Sequence, residues 1–314
     1  MVGGRRPDRS PPGRQTTGPP AAPTAALARS LSPVLPALVP PAPLPGYGRT
    51  PLFLRTWRPR DGSTARATVL LVHGYGEHSG RYDVLARPLA ERGLAVFAYD
   101  QRGYGRSGGS PALPRAFDEY VADLHAVVQH VRSEPPDGPL FLMGHSMGGA
   151  VALLYVLDHG AAPAGLVLSS PMIRLPTPRL LQRAAEPLGR LAPALPAAPL
   201  DPYAISRDPA VVEAAKNDPL CYGGLIKART GAAMGRATRR LGAQMHRLAR
   251  PFFVFHGTAD RLTDPDGSRA LYARARSTDK TLRLYDGFYH ESFRDPGGER
   301  VRADVADWLG ERAP

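Results

Sequence analysis

The sequence predicts an α/β protein, a mostly parallel sheet with helices on both faces, interrupted by a mainly helical insertion. Three observations carry this. Short apolar runs (Ala67 to His73, Leu94 to Tyr99, Leu140 to Met143, Gly165 to Ser169) alternate with stretches of helical period, the spacing of a parallel sheet covered on both sides. The alternation breaks between about Pro171 and Arg250, where Pro, Ala, Leu and Arg dominate and no convincing strand is seen, then resumes at Pro251 to His256. Between the third run and its helix stands Gly144-His145-Ser146-Met147-Gly148, a sharp turn.

In order, residues 1–46 are rich in Pro, Ala, Arg, Ser and Gly, have no useful period and read as a disordered tail. Arg5-Arg6 raises a twin-arginine export reading, but Pro33, Pro36, Pro40, Pro41 and Pro43 break the apolar core it would need. The core is expected over 47–170 and 246–314, with a cap insertion over 171–245. Leu52 to Trp57 and Ala67 to His73 read as strands joined by a turn at Arg60-Asp61-Gly62. A helix runs to about Arg92, the strand Leu94 to Tyr99 follows, and a helix over Arg115 to Ser133 carries Phe117, Val121, Leu124, Val128 and Val131 on one face. Pro135-Pro136-Asp137-Gly138 stops it. The second half adds strands at Pro251 to His256 and Leu282 to Tyr285 and helices at Gly267 to Arg276 and up to Leu309.

Composition narrows the function. The 314 residues carry 40 Lys plus Arg against 28 Asp plus Glu, a net +12, yet no dense basic run interleaves with aromatics, which argues against a nucleic-acid binder. Loose attraction to an anionic membrane surface fits the charge better. One cysteine, Cys221, excludes an internal disulfide or a multi-thiolate metal site. No window approaches a transmembrane span. The expectation is a cytoplasmic protein with neither metal nor cofactor; membrane association and export stay open, and the oligomeric state is not legible. Gly103-Tyr-Gly-Arg-Ser-Gly108 follows a strand and fits a dinucleotide fingerprint, but Pro111 and Pro114 follow where a helix should open.

The chemistry centres on Ser146. A strand–turn–helix with flanking glycines lifts a serine above the sheet at the positive end of a helix dipole, where an alkoxide is favoured. A bare G-x-S-x-G arises by chance in a chain with 33 glycines, so the partners matter. A serine needs a base, and the base an acid, in the chain order Ser, acid, His on this type of sheet. Of His159, His246, His256 and His290, only His290 lies in a loop after a late strand, in Tyr285-Asp-Gly-Phe-Tyr-His290-Glu. Asp260 follows a strand directly; Asp264 and Asp266 compete with it and would otherwise cap the next helix. The oxyanion needs two N–H donors, expected from the backbones of Tyr75 and Met147.

These pieces resemble the α/β-hydrolase superfamily, and within it the monoacylglycerol lipase and lysophospholipase-like branch, a serine aminopeptidase-like hydrolase domain. The resemblance lies in HGYGEHSGRY at 73–82, DQRGYGRSGG at 100–109, LFLMGHSMGGA at 140–150, NDPL at 217–220, HGTADRLTDP at 256–265 and DKTLRLYDGFYHE at 279–291. It implies a nucleophile at Ser146, an acid at Asp260, a base at His290 and oxyanion amides at Tyr75 and Met147. It implies a cofactor-independent serine hydrolase of lipid carboxylic esters, cleaving a monoacylglycerol to glycerol and fatty acid through an acyl-enzyme. Lysophospholipase or short-chain carboxylesterase activity is the alternative, and a catalytically silent binding protein the alternative of another class. Epoxide hydrolases and dehalogenases share the fold but need Asp at position 146. The family often has a small residue where Tyr75 stands, and the insertion matches weakly outside 217–220. Leu180, Leu181, Leu188, Leu191, Leu195 and Leu200 of the insertion read equally as an acyl-binding or lipid-touching surface and as packing of cap on core.

Overall fold

The computed structural model describes residues 1–4, 43–59, 63–134, 138–160 and 163–313. Contacts divide the chain into Met1–Leu35, of which only residues 1–4 are described and carry no regular structure, and Pro36–Pro314, the subject of everything below. The turn read at 60–62, the residues 135–137 of the helix stop and most of the 1–46 tail lie outside the described residues. Residues 43–46 of that tail are described, and Leu44–Pro45 (β1) pairs antiparallel with Pro51–Leu52 (β2). There follow β3 (Leu54–Trp57), β4 (Ala67–Val72), α1 (Asp83–Glu91), β5 (Leu94–Tyr99), α2 (Asp118–Ser133), β6 (Leu140–His145), α3 (Met147–His159) and β7 (Gly165–Ser169). The chain continues through α4 (Arg179–Leu191), β8 (Pro196–Ala198), α5 (Pro209–Asn217), β9 (Ile226–Lys227) and α6 (Ala228–Gln244). It closes with β10 (Phe252–Gly257), α7 (Asp266–Arg274), β11 (Lys280–Tyr285) and α8 (Gly298–Gly310).

Seven strands form the sheet in the order β11-β10-β7-β6-β4-β5-β3, parallel except for the β3–β5 edge. The reason is visible in the strands themselves: β4, β5, β6, β7 and β10 are buried at every residue, as a sheet covered on both faces demands. Alternate residues divide between two cores. Leu70, Val72, Phe97, Tyr99, Leu142, Leu168 and Val254 pack with α2 and α3. Val69, Leu71, Val96, Phe141, Met143, Val167 and Phe253 pack with α1 and α8. Helix α3 is buried from Met147 through Leu157, so its apolar stretch has no polar face.

The sheet register places the site. Val72 pairs with Gly144 and Tyr99, His145 with Ser169, Phe255 with Ser169 and Gly257 with Tyr285. The carboxyl ends of β4, β6, β7, β10 and β11 are therefore level, and the loops after them gather along one edge, where open α/β sheets bind ligands.

Between β7 and β10 the chain contributes no strand to this sheet. The expectation of a strandless insertion needs one correction: β8 and β9 form a small antiparallel ladder. Two or three residues per strand, one of them Pro196, are too few to show alternation in sequence. Of the leucines of the insertion, Leu180 is exposed at 81% and Leu191 at 86%, with Leu181, Leu188, Leu195 and Leu200 also at the surface. Packing against the core does not account for them. No helix among the described residues is long and apolar enough to cross a membrane.

Candidate active site

Ser146 caps α3 with φ 52° and ψ −118°, a left-handed conformation that an L-residue adopts only when its surroundings impose it. Three backbone hydrogen bonds do so. Ser146 N–H donates to Ser169 O at 2.9 Å, and Ser146 O accepts from Ala150 N–H at 3.2 Å and Met172 N–H at 2.9 Å. The flanking glycine is dictated by space: a Cβ on Gly148 would lie 2.1 Å from Val72 O and 2.4 Å from His73 O. Helix α3 thus presses against the end of β4 and turns Ser146 toward the loop after it. A Cβ on Gly74, in that loop, would come within 3.3 Å of Ser146 Cβ. Met147 is the first residue of α3, where an amide has no acceptor within the helix. Tyr75 is flanked by Ser146's neighbour Gly74 and by Gly76, whose carbonyl accepts from Tyr222 N–H at 2.8 Å. Its ring meets Tyr104 and Tyr222 edge-on, at 5.6 and 6.0 Å.

Asp260 and His290 are brought together. His290 Nδ1–H donates to Asp260 Oδ2 at 2.7 Å, a short bond to an acceptor-only carboxylate that leaves Nε2 as the basic nitrogen. Burial pulls the pKa of His290 down, but the charge and hydrogen bond of Asp260 outweigh it and hold the ring above its ordinary value. Burial likewise pushes Asp260 up, and His290 and His256 overcome this, keeping its carboxyl well below the usual range. The carboxylate accepts four further bonds: from Leu262 N–H (2.8 Å) and Thr263 N–H (3.1 Å) at Oδ1, and from Thr263 Oγ1 (2.9 Å) and His256 Nε2 (3.0 Å) at Oδ2. The competing acids are occupied elsewhere. Asp264 accepts from Arg174 and from Asp266 N–H, and Asp266 from Arg269. His159 ends α3 stacked on His125 at 4.8 Å, and His246 lies in the turn after α6.

Sequence reasoning left several neighbours without a role. His145 lies 4.7 Å from His290, ring to ring, and burial, aided by the charge of His290, pushes its pKa down to about 3, so it stays neutral. Glu77 accepts from Gly74 N–H at 2.6 Å and Tyr82 Oη at 2.7 Å. Arg81 donates to Glu77 at 3.2 Å and to both oxygens of Glu291 at 2.7 and 2.9 Å, with all three side chains buried. Burial raises the pKa of Glu77, but the Arg81 charge and the Tyr82 hydrogen bond outweigh it and hold the carboxyl below its ordinary range. One ion triad thus fastens the turn bearing Tyr75 to the loop bearing His290. Glu77 and Arg81 stood within the recognised HGYGEHSGRY stretch, but nothing local announces a partner 210 residues away. Because removing one member leaves uncompensated buried charge, Arg81→Met is expected to destabilise the fold by about 3–5 kcal/mol, read from urea unfolding.

One group of three among the described residues has metal-ligating atoms close together, His78, Asp218 and Cys221, within 4.8 Å of one another. Its histidine is already engaged: Gly80 N–H donates to Nδ1 at 3.2 Å, so Nε2 carries the proton given to Asp218 Oδ2 at 2.8 Å. The pair ties the loop after β4 to the segment after α5.

Comparison with known proteins agrees with this architecture. A family model described as Hydrolase_4, serine aminopeptidase, S33, matches residues 63–297. A monoacylglycerol lipase of Mycolicibacterium smegmatis is 36% identical over 266 residues, 84% of this chain and 94% of the relative. The monoglyceride lipase of Homo sapiens is 39% identical over 243 residues, 76% of this chain and 79% of the relative. The crystal structure of Paleococcus ferrophilus monoacylglycerol lipase is similar with a TM-score of 0.75 at 33% identity, covering 83% of this chain and 99% of that one. The chain belongs to the serine aminopeptidase S33 family, built on the α/β-hydrolase fold.

Proposed function

We propose that this protein is a serine esterase that cleaves monoacylglycerols to glycerol and fatty acid. The observation that carries the reading is the 2.7 Å Asp260–His290 bond on the same sheet edge as the strained Ser146. The relatives' substrate class, given by the names of the enzymes above, supports the choice of ester. Ser146 Oγ attacks the ester carbonyl as His290 Nε2 takes its proton. The negative oxygen settles on the Tyr75 and Met147 amides, which are preorganised donors at a backbone turn and a helix N-terminus. Protonated His290 then gives its proton to the departing glycerol oxygen. Water enters, His290 removes its proton, and the acyl-enzyme is hydrolysed to fatty acid and free Ser146. Asp260 holds the Nδ1–H tautomer throughout and stabilises the imidazolium. Oleate release from monooleoylglycerol by the purified protein tests the reading; release no greater than the blank would move the assignment to lysophospholipids and short esters. A short-chain carboxylesterase is the second reading, favoured by the Tyr75 ring, which stands between Tyr104 and Tyr222 beside the oxyanion turn.

The insertion over 171–245 would act as the cap and as the membrane contact. On α4, Leu180, Leu181, Leu188 and Leu191 fall within an arc of about 100°, given about 100° of turn per residue. The buried Gln182 and Gly189 lie opposite, and Arg179, Arg183 and Arg190 line one flank. An apolar face with a cationic border suits a lipid interface that is the source of the substrate. Replacing Leu180, Leu181 and Leu191 by Ser is expected to lower partitioning onto anionic vesicles by at least about tenfold, since each buried leucine is worth roughly 1.5–3 kcal/mol. Cosedimentation measures it, and turnover of a water-soluble ester should be unchanged.

A further inference from the structure

His256 and His290, both histidines that follow Ser146 in the chain, meet at the same carboxylate. The His256 side chain is completely buried at the end of β10, four residues before Asp260. Its two nitrogens are both engaged. Asp260 Oδ2 accepts only, so His256 Nε2 must carry the proton that bridges their 3.0 Å separation. His256 Nδ1 is then an acceptor, and the Ser268 hydroxyl donates to it at 2.8 Å from the first turn of α7. Ser268 is itself fully buried, so this tautomer is locked from below. Oδ2 therefore receives two imidazole N–H groups, from His256 and His290, together with the Thr263 hydroxyl.

We propose that His256 is a positioning residue for the hydrolysis: it acts through Asp260, fixing where Oδ2 stands and sharing its negative charge, so that the carboxylate holds His290 without binding its proton too tightly. The inference rests on Ser146, Asp260 and His290 serving as nucleophile, acid and base. A hydrogen bond to an ionised carboxylate lowers its basicity. The charge left to stabilise protonated His290 is smaller by whatever His256 and Thr263 withdraw. That matters because His290 must accept a proton from Ser146 and then surrender it to the leaving alcohol, and both steps are served best by a pKa near the working pH. The other groups that face His290 are His145, kept neutral, and the carboxylates of Glu77 and Glu291, which Arg81 neutralises in part. None of them touches Oδ2, so the balance at that oxygen is set by His256 and Thr263. Loss of His256 should not release the carboxylate altogether, because Leu262 and Thr263 still hold Oδ1 and Thr263 still reaches Oδ2.

The test compares His256→Leu, His256→Gln and Ser146→Ala across about pH 5 to pH 9. In His256→Leu the undivided charge of Oδ2 falls on His290, so the acid limb of kcat/KM is expected to move up by about half to one pH unit. Activity on the low side should fall about three- to tenfold, approach wild type above the limb, and leave KM within about twofold. Glutamine can donate to Oδ2 and accept from Ser268, and is expected to restore the wild-type limb. An unmoved limb in His256→Leu, or an equal loss at every pH in both variants, overturns the proposal in favour of a packing role. Should the leucine variant not fold, the wild type decides by NMR with nitrogen-labelled histidine. The proposal requires His256 Nε2 to carry its proton wherever Asp260 is ionised, with a shift that follows the titration of His290; a bare Nε2 or an unresponsive shift overturns it. Ser146→Ala separates the two readings. Retained activity there removes the assumed chemistry and this inference with it, whereas an inactive Ser146→Ala beside an unmoved His256→Leu limb removes only the inference.

Discussion

Ser146→Ala is expected to reduce oleate release from monooleoylglycerol by at least about 10⁴-fold, with the residue left over coming from the oxyanion donors and binding alone. The loss should fall on kcat, since the hydroxyl forms a bond only during the reaction. Alanine removes one oxygen without disturbing the three backbone hydrogen bonds that hold the turn, so unfolding in urea should be near wild type. Alanine at φ 52° is no more strained than serine. A fluorophosphonate probe should label wild type and not the variant. If the variant keeps its activity, another nucleophile is at work; if neither form is labelled or active while both are folded, the binding-protein reading takes over.

How much of this was legible in the sequence depends on how local the signal was. The strands Leu94–Tyr99 and Gly165–Ser169 and the start of α3 at Met147 were readable to the residue, because each is an unbroken apolar stretch lying wholly in the core with a glycine at or beside its start. Helix α2 begins at Asp118 rather than Arg115, whose amide is taken by the Glu119 side chain at 2.8 Å instead of lying within the helix. The ladder β8–β9 escaped because strands this short carry no period. At the site, Ser146, Asp260 and His290 could be ordered along the chain since each follows a recognisable strand. Their supports could not. Glu77, Arg81 and Glu291 meet across the sheet edge, and His256 looked like the last residue of a strand rather than a partner of Asp260. Only the level register of the strand ends brings those groups together. The leucines of α4 show the opposite limit: the sequence marks them equally as a lipid-touching surface or as packing of cap on core, and that they are left open had to come from the fold.

Asp260→Asn separates the acid's charge from its shape, and its expected effect is a fall in kcat of about 10³–10⁴-fold with KM little changed. Five donors point at this carboxylate: His290, His256, the Thr263 hydroxyl, and the Leu262 and Thr263 amides. An asparagine NH₂ placed at either oxygen position meets a donor where an acceptor is needed. If it faces His290, the ring must move its proton to Nε2, the nitrogen that should take the proton of Ser146, and the base is lost. Stability carries a second, pH-dependent signature. In the wild type His290 has a folded pKa above its unfolded value, so its contribution is fully present below about pH 6.5 and is lost as pH rises through the folded pKa. Without the carboxylate, burial, the largest influence, lowers the pKa against the weaker pull of Glu291 and Glu77, both paired with Arg81, and the folded state then loses stability as pH falls below that same value. Asp260 adds stability above about pH 3.9 that disappears only in strong acid, and the variant lacks it throughout. The two curves must therefore diverge toward acid: the destabilisation by Asp260→Asn should be clearly larger at about pH 5.5 than at about pH 8 in urea unfolding. A difference that is flat with pH would mean that the 2.7 Å bond between Asp260 and His290 does not carry an ion pair in the folded enzyme.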